Sequence, residues 1–294
     1  MRLVKYVATL LLSIGISATT LAAEPHGRVL VLLSGENQLL LKDGKTYPTG
    51  YYLNEFGVPA DSLLKAGYEL VLVTPNGKAP SVDERSVDPL YFSGNRNEML
   101  RTQSVVQNLP GISKPQVLAE VLAGDLTQYA GLLIPGGHAP LIDLANNPQV
   151  GELLKYFHTA GKPTAAICHG PITLLSAQDN PKAFEAGLIE GKQPQANNWI
   201  YQGYRMTIFA DAEERVFENS LKGDKIRYYP AKAMATAGGK LEQAKAWTPN
   251  VVVDRELITG QNPFSDHALA KALLAQLQSA QQSIPEQNSR TDQQ

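Results

Sequence analysis

The chain has 294 residues, of which 43% are hydrophobic, 18% are charged and one is a cysteine. This apolar content supports a sizeable core and excludes disorder over most of the length, and a lone cysteine excludes an intrachain disulfide scaffold. Lysine plus arginine number 26 against 28 acidic residues, so there is no basic field of the kind that holds nucleic acid, and we expect no nucleic-acid partner.

The first element in chain order is a predicted export signal over residues 1–23. Arg2 and Lys5 form a positive start, residues 7–16 are apolar, and Ala22 and Ala23 provide small residues for cleavage. The apolar run is shorter than the roughly 20 residues of a membrane-spanning helix, although an uncleaved anchor helix is the alternative. We expect a periplasmic protein, or as the alternative a secreted one, without membrane contact after cleavage.

Short apolar runs alternate with helical patterns through the middle of the chain. They predict strands at residues 28–33, 69–74, 131–134, 164–167, 205–209, 251–253 and 257–258. Helices are predicted at 61–66 and 148–160, each ended by a glycine, and from a Ser265 cap to about residue 280. This alternation predicts an α/β fold, a doubly wound and mostly parallel sheet flanked by helices.

The domain organisation is predicted as a single α/β domain over residues 24–280. Residues 87–126 form the main insertion, which we expect to be a small cap over the site. Residues 281–294 are polar without apolar periodicity and are predicted to be a disordered tail.

The lone cysteine lies in the segment AAICHGP, where a predicted strand ends and Gly170-Pro171 open a helix. Such a turn lifts Cys168 out of the carboxyl edge of the sheet, and the helix N-terminus below it favours a thiolate. A buried, inert cysteine is the commoner alternative, but it does not explain the turn. We therefore predict a reactive thiol, with His169 facing the substrate as acid or base.

Two further segments carry candidate site residues. In LLIPGGHAP, Gly136 and Gly137 can bring backbone N–H groups close to a substrate carbonyl, although a plain glycine turn is the alternative. His138 is either a wall of the site or a surface histidine. In TGYYLNEFGVP, Glu55 is by default a solvated helix residue, but its aromatic neighbours favour burial, a raised pKa and general acid–base work near a thiol.

Together these segments resemble the ThiJ/PfpI superfamily, in particular its branch of stress chaperones and glutathione-independent glyoxalases (glyoxalase III). The resemblance rests on TGYYLNEFGVP, IPGGHAPLIDL, AAICHGP and VVVDRELITGQNPFS, and it spans roughly residues 28–280. It implies a flavodoxin-like sheet of the class I glutamine amidotransferase type.

The resemblance also implies roles for individual residues. Cys168 is the nucleophile, His169 is the adjacent acid or base, and Glu55 contacts the thiolate and shuttles protons. Gly136, Gly137, His138 and Gly170 surround the oxyanion and substrate site. Asp211, in IFADAEE, occupies the place of the acidic residue that orients the histidine in some members, while Glu213 and Glu214 are interpreted as helix-start charges.

We expect no cofactor and no metal. The two-histidine, one-carboxylate metal site of some relatives has no expected counterpart among His26, His138, His158 and His267.

The function implied by the resemblance is conversion of methylglyoxal to a hydroxyacid such as lactate through a Cys168 hemithioacetal. The expected partner is a small carbonyl compound. The alternatives are a holdase chaperone that binds unfolded proteins through exposed apolar surface, an amidase, peptidase or deglycase that uses the same thiol, and redox sensing by Cys168. Relatives often form dimers, so a homodimer is also expected.

Overall fold

A seven-stranded sheet forms the centre of the molecule in the computed structural model, which describes residues 26–282. The strands of this part of the chain are β1 (Gly27–Leu32), β2 (Gln38–Leu40), β3 (Thr46–Pro48), β4 (Tyr68–Thr74), β5 (Gln116–Val117), β6 (Tyr129–Ile134), β7 (Thr164–Ile167), β8 (Arg205–Met206), β9 (Lys240–Leu241), β10 (Val251–Asp254) and β11 (Leu257–Gly260). The helices are α1 (Leu53–Lys65), α2 (Arg96–Gln107), α3 (Leu118–Ala123), α4 (Pro140–Asp143), α5 (Pro148–Thr159), α6 (Pro181–Ile189), α7 (Asp211–Asn219), α8 (Pro230–Thr236) and α9 (Asp266–Gln282).

The strand order of the main sheet is β10-β11-β7-β6-β1-β4-β5. All neighbouring pairs are parallel except β10 and β11, which form an antiparallel hairpin at one edge. The chain builds outward from β1 to β4 and β5, and then reverses to add β6 and β7 on the other side of β1. Open α/β sheets bind ligands beyond the carboxyl ends of the strands near such a reversal.

Both faces of the sheet are covered, as the near-continuous apolar strands predict. Alternate residues of β1 point to opposite faces, so Val29 and Val31 join one core and Leu30 and Leu32 join the other. Helices α1 and α9 cover the first face with Phe56, Leu63, Leu269 and Leu273, and α5 covers the second with Leu153, Leu154 and Phe157. The predicted doubly wound α/β class is confirmed.

Two predicted elements differ from the structure. Helix α1 begins at Leu53 rather than at residue 61, because Pro59 is accommodated inside the helix although it cannot donate a backbone hydrogen bond. Residues 205–209 do not form a strand of the main sheet. Only β8 forms there and pairs with β9, because the Thr207 N–H donates to Oγ1 of Thr259 (2.9 Å) and the Phe209 N–H donates to the Cys168 carbonyl (2.9 Å).

Residues 87–126 do not form a separate cap. Strand β5 pairs with β4 as an edge of the main sheet, and α2 lies against α1, where Gly57 leaves room for Thr102. Only the short helical turn Pro89–Phe92 reaches the site, through Tyr91. Insertion of this segment between β4 and β6 therefore extends the sheet rather than adding a lid.

The predicted signal at residues 1–23 and most of the predicted tail at 281–294 lie outside the described residues. Gln281 and Gln282 are described, and they end α9. Within residues 26–282, no helix is both long enough and apolar enough to cross a membrane.

Candidate active site

The candidate site lies at the carboxyl edge of the sheet, where three segments that are distant in sequence meet. Cys168 follows β7, Gly136 and Gly137 follow β6, and Glu55 lies in the first turn of α1. A Cβ atom placed on Gly136 would lie 2.4 Å from Oε2 of Glu55 and 2.8 Å from Cβ of Cys168. The structure therefore brings the predicted nucleophile, carboxyl and glycine turn together.

Cys168 occupies a sharp turn with a backbone φ of 59°. This left-handed conformation is uncommon for a residue other than glycine and is maintained only when neighbouring contacts hold it. Here the Cys168 N–H donates to the Gly260 carbonyl (2.8 Å), and the Cys168 carbonyl accepts from the Phe209 N–H. Strand β11 and the segment before α7 thus fix the turn, and the thiol side chain is only 2% exposed.

Cys168, His169 and Glu214 form a continuous polar chain. Sγ of Cys168 lies 3.3 Å from Nδ1 of His169, and Nε2 of His169 lies 2.8 Å from Oε2 of Glu214. Burial alone would raise the pKa of Glu214, but the two adjacent histidines outweigh it and lower that pKa to about 2. The carboxylate can therefore only accept, so His169 donates from Nε2 and keeps Nδ1 free to take the thiol proton.

Glu214, not Asp211, is the carboxylate that orients His169, which corrects the prediction. Asp211 begins α7 and is partly exposed, and its Oδ1 has no hydrogen-bond partner among the described residues. Glu214 is fully buried one turn later. The sequence indicates burial of Glu214 only through its helical spacing from Phe217 on α7, and this spacing does not predict a contact with His169.

His138 is the second histidine that binds Glu214. Its Nε2 donates to Oε1 of Glu214 (2.9 Å), and its ring lies 3.9 Å from the His169 ring, centroid to centroid. Burial and then the His169 charge lower the pKa of His138 to about 4, so the ring is neutral near pH 7. His138 is thus a buried wall of the site and not a surface histidine.

The depressed pKa of His138 predicts a specific loss of stability in acid. His138 has a pKa of 6.5 in the unfolded chain and about 4 in the folded chain, so the unfolded chain binds the proton more tightly. Protonation therefore favours unfolding as the pH falls from 6.5 to 4. We expect the free energy of unfolding to fall by up to about 1.4 kcal/mol per pH unit, about 3 kcal/mol in total. Urea unfolding at pH 7, 6, 5 and 4 measures this slope.

The matched variant for this experiment is His138→Gln, whose amide can still donate to Glu214 but does not titrate. Its stability should depend less steeply on pH over the same range, whatever its stability at pH 7. Equal slopes for the two proteins would show that His138 does not titrate in this way.

Glu55 and Cys168 form a buried pair on the other side of the thiol. Burial raises the pKa of Glu55 well above its usual value, and burial followed by the Glu55 charge raises the pKa of Cys168. The Cys168 thiol and the Gly137 N–H both face the Glu55 carboxyl. Because burial favours the protonated form of this carboxyl, Glu55 is a candidate proton donor beside the sulfur.

Burial, rather than the helix N-terminus expected from the sequence, has the largest effect on the pKa of Cys168, and it raises that pKa. The residues after the turn, Gly170–Ser176, form a short 3-10 helix, and burial dominates the thiol's environment. The opposing contribution comes from the Gly137 N–H, which points at both Cys168 and Glu55. This thiol must consequently be deprotonated by a neighbouring base when the substrate arrives.

The glycine turn after β6 is required by close packing. Gly137 has φ of 78°, and a Cβ atom there would lie 2.0 Å from the Gly50 carbonyl oxygen. This packing holds the Gly137 N–H beside the sulfur. There it can stabilise the oxyanion that forms on a bound carbonyl when the sulfur adds to it. Gly170 has a packing role instead, since a Cβ there would lie 2.5 Å from the Ile134 carbonyl oxygen.

Two histidines and a carboxylate lie close together at this site. This corrects the expectation that His138 is not part of a two-histidine, one-carboxylate cluster of the kind that binds metal in some relatives. Candidate ligand atoms of His138, His169 and Glu214 all lie within 4.8 Å of one another. Both imidazole Nε2 atoms already donate to Glu214, however, and a divalent ion would have to replace both hydrogen bonds. An acid–base role explains the hydrogen bonds of these three side chains, and we assign no metal-dependent step to them.

A pocket of about 240 Å³ opens above the thiol. Cys168, His169 and His138 lie on its floor, and its walls include Arg85 and five aromatic side chains, those of Tyr52, Tyr91, Phe209, Phe217 and Trp247. None of these wall residues is among the site residues predicted from the sequence. Phe209 and Phe217 lie before and within α7, and Trp247 lies before β10, in segments that no sequence pattern connects with the cysteine turn.

Comparison with known proteins finds similar sequences and a similar fold. Residues 48–182 match the DJ-1/PfpI family. The chain is 26% identical to the protein/nucleic acid deglycase HchA of Pseudomonas aeruginosa over 83% of this chain and 78% of the relative. It is 25% identical to the HchA of Staphylococcus aureus, over 86% of this chain and 80% of the relative.

A solved structure shares the fold. Glyoxalase III of Candida albicans matches 85% of this chain and 97% of its own, with a TM-score of 0.61 and 22% identity. The match over residues 48–182, which carry the glycine and cysteine turns, and the deglycase relatives show one thing: the chain is similar to the DJ-1/PfpI family.

Proposed function

We propose that this protein is a cofactor-free, cysteine-dependent enzyme that converts reactive dicarbonyls to hydroxyacids, with methylglyoxal to lactate as the test reaction. One observation carries the proposal. A buried thiol that lines the pocket lies between an acid–base chain, His169 and Glu214, and the carboxyl of Glu55, whose pKa is raised by burial. Addition of sulfur to a carbonyl followed by proton transfers on adjacent carbons needs this arrangement.

The first step is addition of Cys168 to the aldehyde carbon. His169 takes the thiol proton on Nδ1, and Glu214 stabilises the resulting imidazolium. The new C–S bond forms as the aldehyde oxygen becomes negative, and the Gly137 N–H lies at the sulfur to stabilise that charge. A proton from Glu55 completes the hemithioacetal.

The next steps move hydrogen from the aldehyde carbon to the adjacent carbon. Ionised Glu55 removes the C–H proton while protonated His169 gives its proton to the ketone oxygen, which forms an enediol. Glu55 then returns its proton to the second carbon, His169 takes the proton of the first carbon's hydroxyl, and the Cys168 thioester of lactate remains. Water then breaks the C–S bond and restores the thiol, so methylglyoxal plus water gives lactic acid. The proposed reaction therefore consumes no oxidant, reductant or glutathione.

Relatives that are called deglycases favour a second candidate function. In a deglycase reaction the same thiol would act on a dicarbonyl already attached to an amine or thiol of another molecule. The rim of the pocket fits this use, since Val216 is 52% exposed and Trp247 is 40% exposed beside the opening. A peptidase is less well supported, because the aromatic walls confine the space above Cys168.

We further propose that the protein acts after export to the periplasm, on the grounds of the signal-like residues 1–23. A holdase function through the exposed apolar side chains, and a homodimer, remain secondary proposals. Client-aggregation assays and sedimentation of the mature chain test these two.

Lactate formation from methylglyoxal without glutathione tests the leading proposal. Lactate is measured by a coupled dehydrogenase assay over time, at several enzyme concentrations, with heat-denatured protein as the control. A rate proportional to native enzyme is expected. Methylglyoxal consumption without lactate would contradict the proposed reaction.

A preformed adduct of methylglyoxal with N-acetylarginine separates the deglycase candidate from the dicarbonyl reaction. Lactate from the adduct that persists when a scavenger removes free methylglyoxal would favour the deglycase. Lactate that disappears with the scavenger would favour action on the free dicarbonyl. Mass spectrometry of the intact protein then identifies the species attached to Cys168.

A further inference from the structure

Arg85 is the one residue with a permanent positive charge among the described residues that line the pocket. It lies in the short helical turn Glu84–Ser86, far in sequence from both glycine and cysteine turns. The proposed reaction uses sulfur, imidazole and carboxyl groups and gives Arg85 no part. A guanidinium beside a reactive thiol therefore requires its own explanation.

The Arg85 guanidinium is held rigidly. Its Nε and Nη2 donate to the two oxygens of Asp83 at 3.0 and 2.6 Å, and Asp83 is almost fully buried. The guanidinium carbon lies 4.7 Å from the Tyr47 ring centroid and 5.0 Å from that of Phe217. These contacts leave Nη1 without a hydrogen-bond partner among the described residues, so one edge of the planar guanidinium remains free to donate.

The charges around the pocket favour an anion at this free edge. Asp83 is already saturated, since it also accepts from the Thr49 hydroxyl and the Arg85 N–H. Glu214 is paired with both His138 and His169, and neither Glu214 nor Glu55 is among the residues that line the pocket. Arg85 is thus the strongest available partner for a ligand charge, and its side chain is 33% exposed at the pocket, so a ligand can reach it.

The size of the pocket favours a larger substrate than methylglyoxal. A space of about 240 Å³ corresponds to roughly eight water molecules at ~30 Å³ each. Methylglyoxal has only three carbons and two oxygens, so most of the aromatic wall would remain uncovered. A flat or apolar body between Cys168 and Arg85 would fill this space.

We propose that Arg85 forms a second subsite, which binds a carboxylate at the far end of an aldehyde substrate whose aromatic or apolar body lies along the pocket walls. This inference rests on the proposed function, because it names the substrate class for the same thiol. A planar carboxylate suits the free edge of a guanidinium, which offers two parallel N–H groups.

A pair of simple aldehydes tests the subsite. 4-Formylbenzoate and its neutral methyl ester can both add to Cys168, and neither has the second carbonyl needed for further reaction. We measure their inhibition of lactate formation from methylglyoxal, and their direct binding to the Cys168→Ala variant by calorimetry. The carboxylate is expected to bind about tenfold to a hundredfold more tightly than the ester, the range for a hydrogen bond to a charged group.

The variant Arg85→Gln should remove this preference, and Arg85→Lys should retain part of it. Arg96→Gln, an exposed arginine on α2, is the matched control and should keep the full preference. Equal binding of the acid and the ester by the unmutated pocket would overturn the proposal, and this result does not depend on how well the Arg85 variants fold. A preference that survives in folded Arg85→Gln would overturn it as well.

Failure of the subsite can be distinguished from failure of the proposed function. If the wild type forms no lactate but calorimetry still shows Arg85-dependent binding of the acid, the dicarbonyl reaction is wrong and the subsite stands. If lactate forms but the acid and the ester bind equally, the reaction stands and the subsite is wrong.

Discussion

A Cys168→Ala variant is expected to form lactate from methylglyoxal no faster than buffer does. The sulfur is the atom that makes the covalent bond, and His169, Glu214 and Glu55 have nothing to activate without it. A loss of at least about a thousandfold is expected, since removal of a nucleophile typically leaves only the residual catalysis of the surrounding groups. The measurement is the initial rate of lactate formation at saturating methylglyoxal.

Folding of this variant is controlled separately. Alanine fits the space of the buried thiol, although it must adopt the same left-handed backbone, so we expect a cost of about 1 kcal/mol or less in unfolding free energy. Cys168→Ser, which keeps a smaller and far less acidic nucleophile, should be nearly as inactive. A folded Cys168→Ala protein that retains the wild-type rate would refute covalent catalysis at this residue.

Glu214→Gln is expected to lower kcat by about a thousandfold to ten-thousandfold with little change in KM. Both Nε2 atoms of His138 and His169 donate to the two carboxylate oxygens. A glutamine has one acceptor oxygen and an NH₂ group, so one histidine would face a donor and would change its tautomer. If His169 places its proton on Nδ1, it can no longer accept the thiol proton, as in the equivalent change in serine protease triads.

Asp211→Asn is the matched control, since it changes an acid to its amide on the same helix three residues earlier. It should keep the wild-type rate, because Asp211 does not contact His169. A large loss in Asp211→Asn together with a small one in Glu214→Gln would reverse the assignment made from the structure. Urea unfolding of both variants separates a loss of activity from a loss of fold.

Residues whose role depends on local geometry could be predicted from the sequence. The cysteine turn follows a strand directly, and the Gly136-Gly137 pair follows another, so each position at the sheet edge could be inferred from its own neighbours. The sequence leaves Glu55 open between a solvated and a buried position, since its burial depends on packing against the glycine turn.

The remaining site residues could not be predicted because they approach through tertiary structure. Glu214 lies 45 residues after His169 in a stretch of acidic residues that is typical of a helix start. Arg85 reaches the pocket only because Asp83 and two aromatic rings hold it there. The pKa of Cys168 also depends on burial, which a helix-dipole argument from the sequence alone does not include.

Burial of the thiol also affects which reagents it meets. Peroxide and disulfides react with thiolates, and a cysteine that is 2% exposed, with a pKa raised by burial, offers very little thiolate at rest. A carbonyl compound that enters the pocket finds a base, Nδ1 of His169, already aligned with the sulfur. In the proposed reaction, burial would therefore protect the thiol from oxidants between turnovers and leave it nucleophilic only while an electrophile is bound beside it.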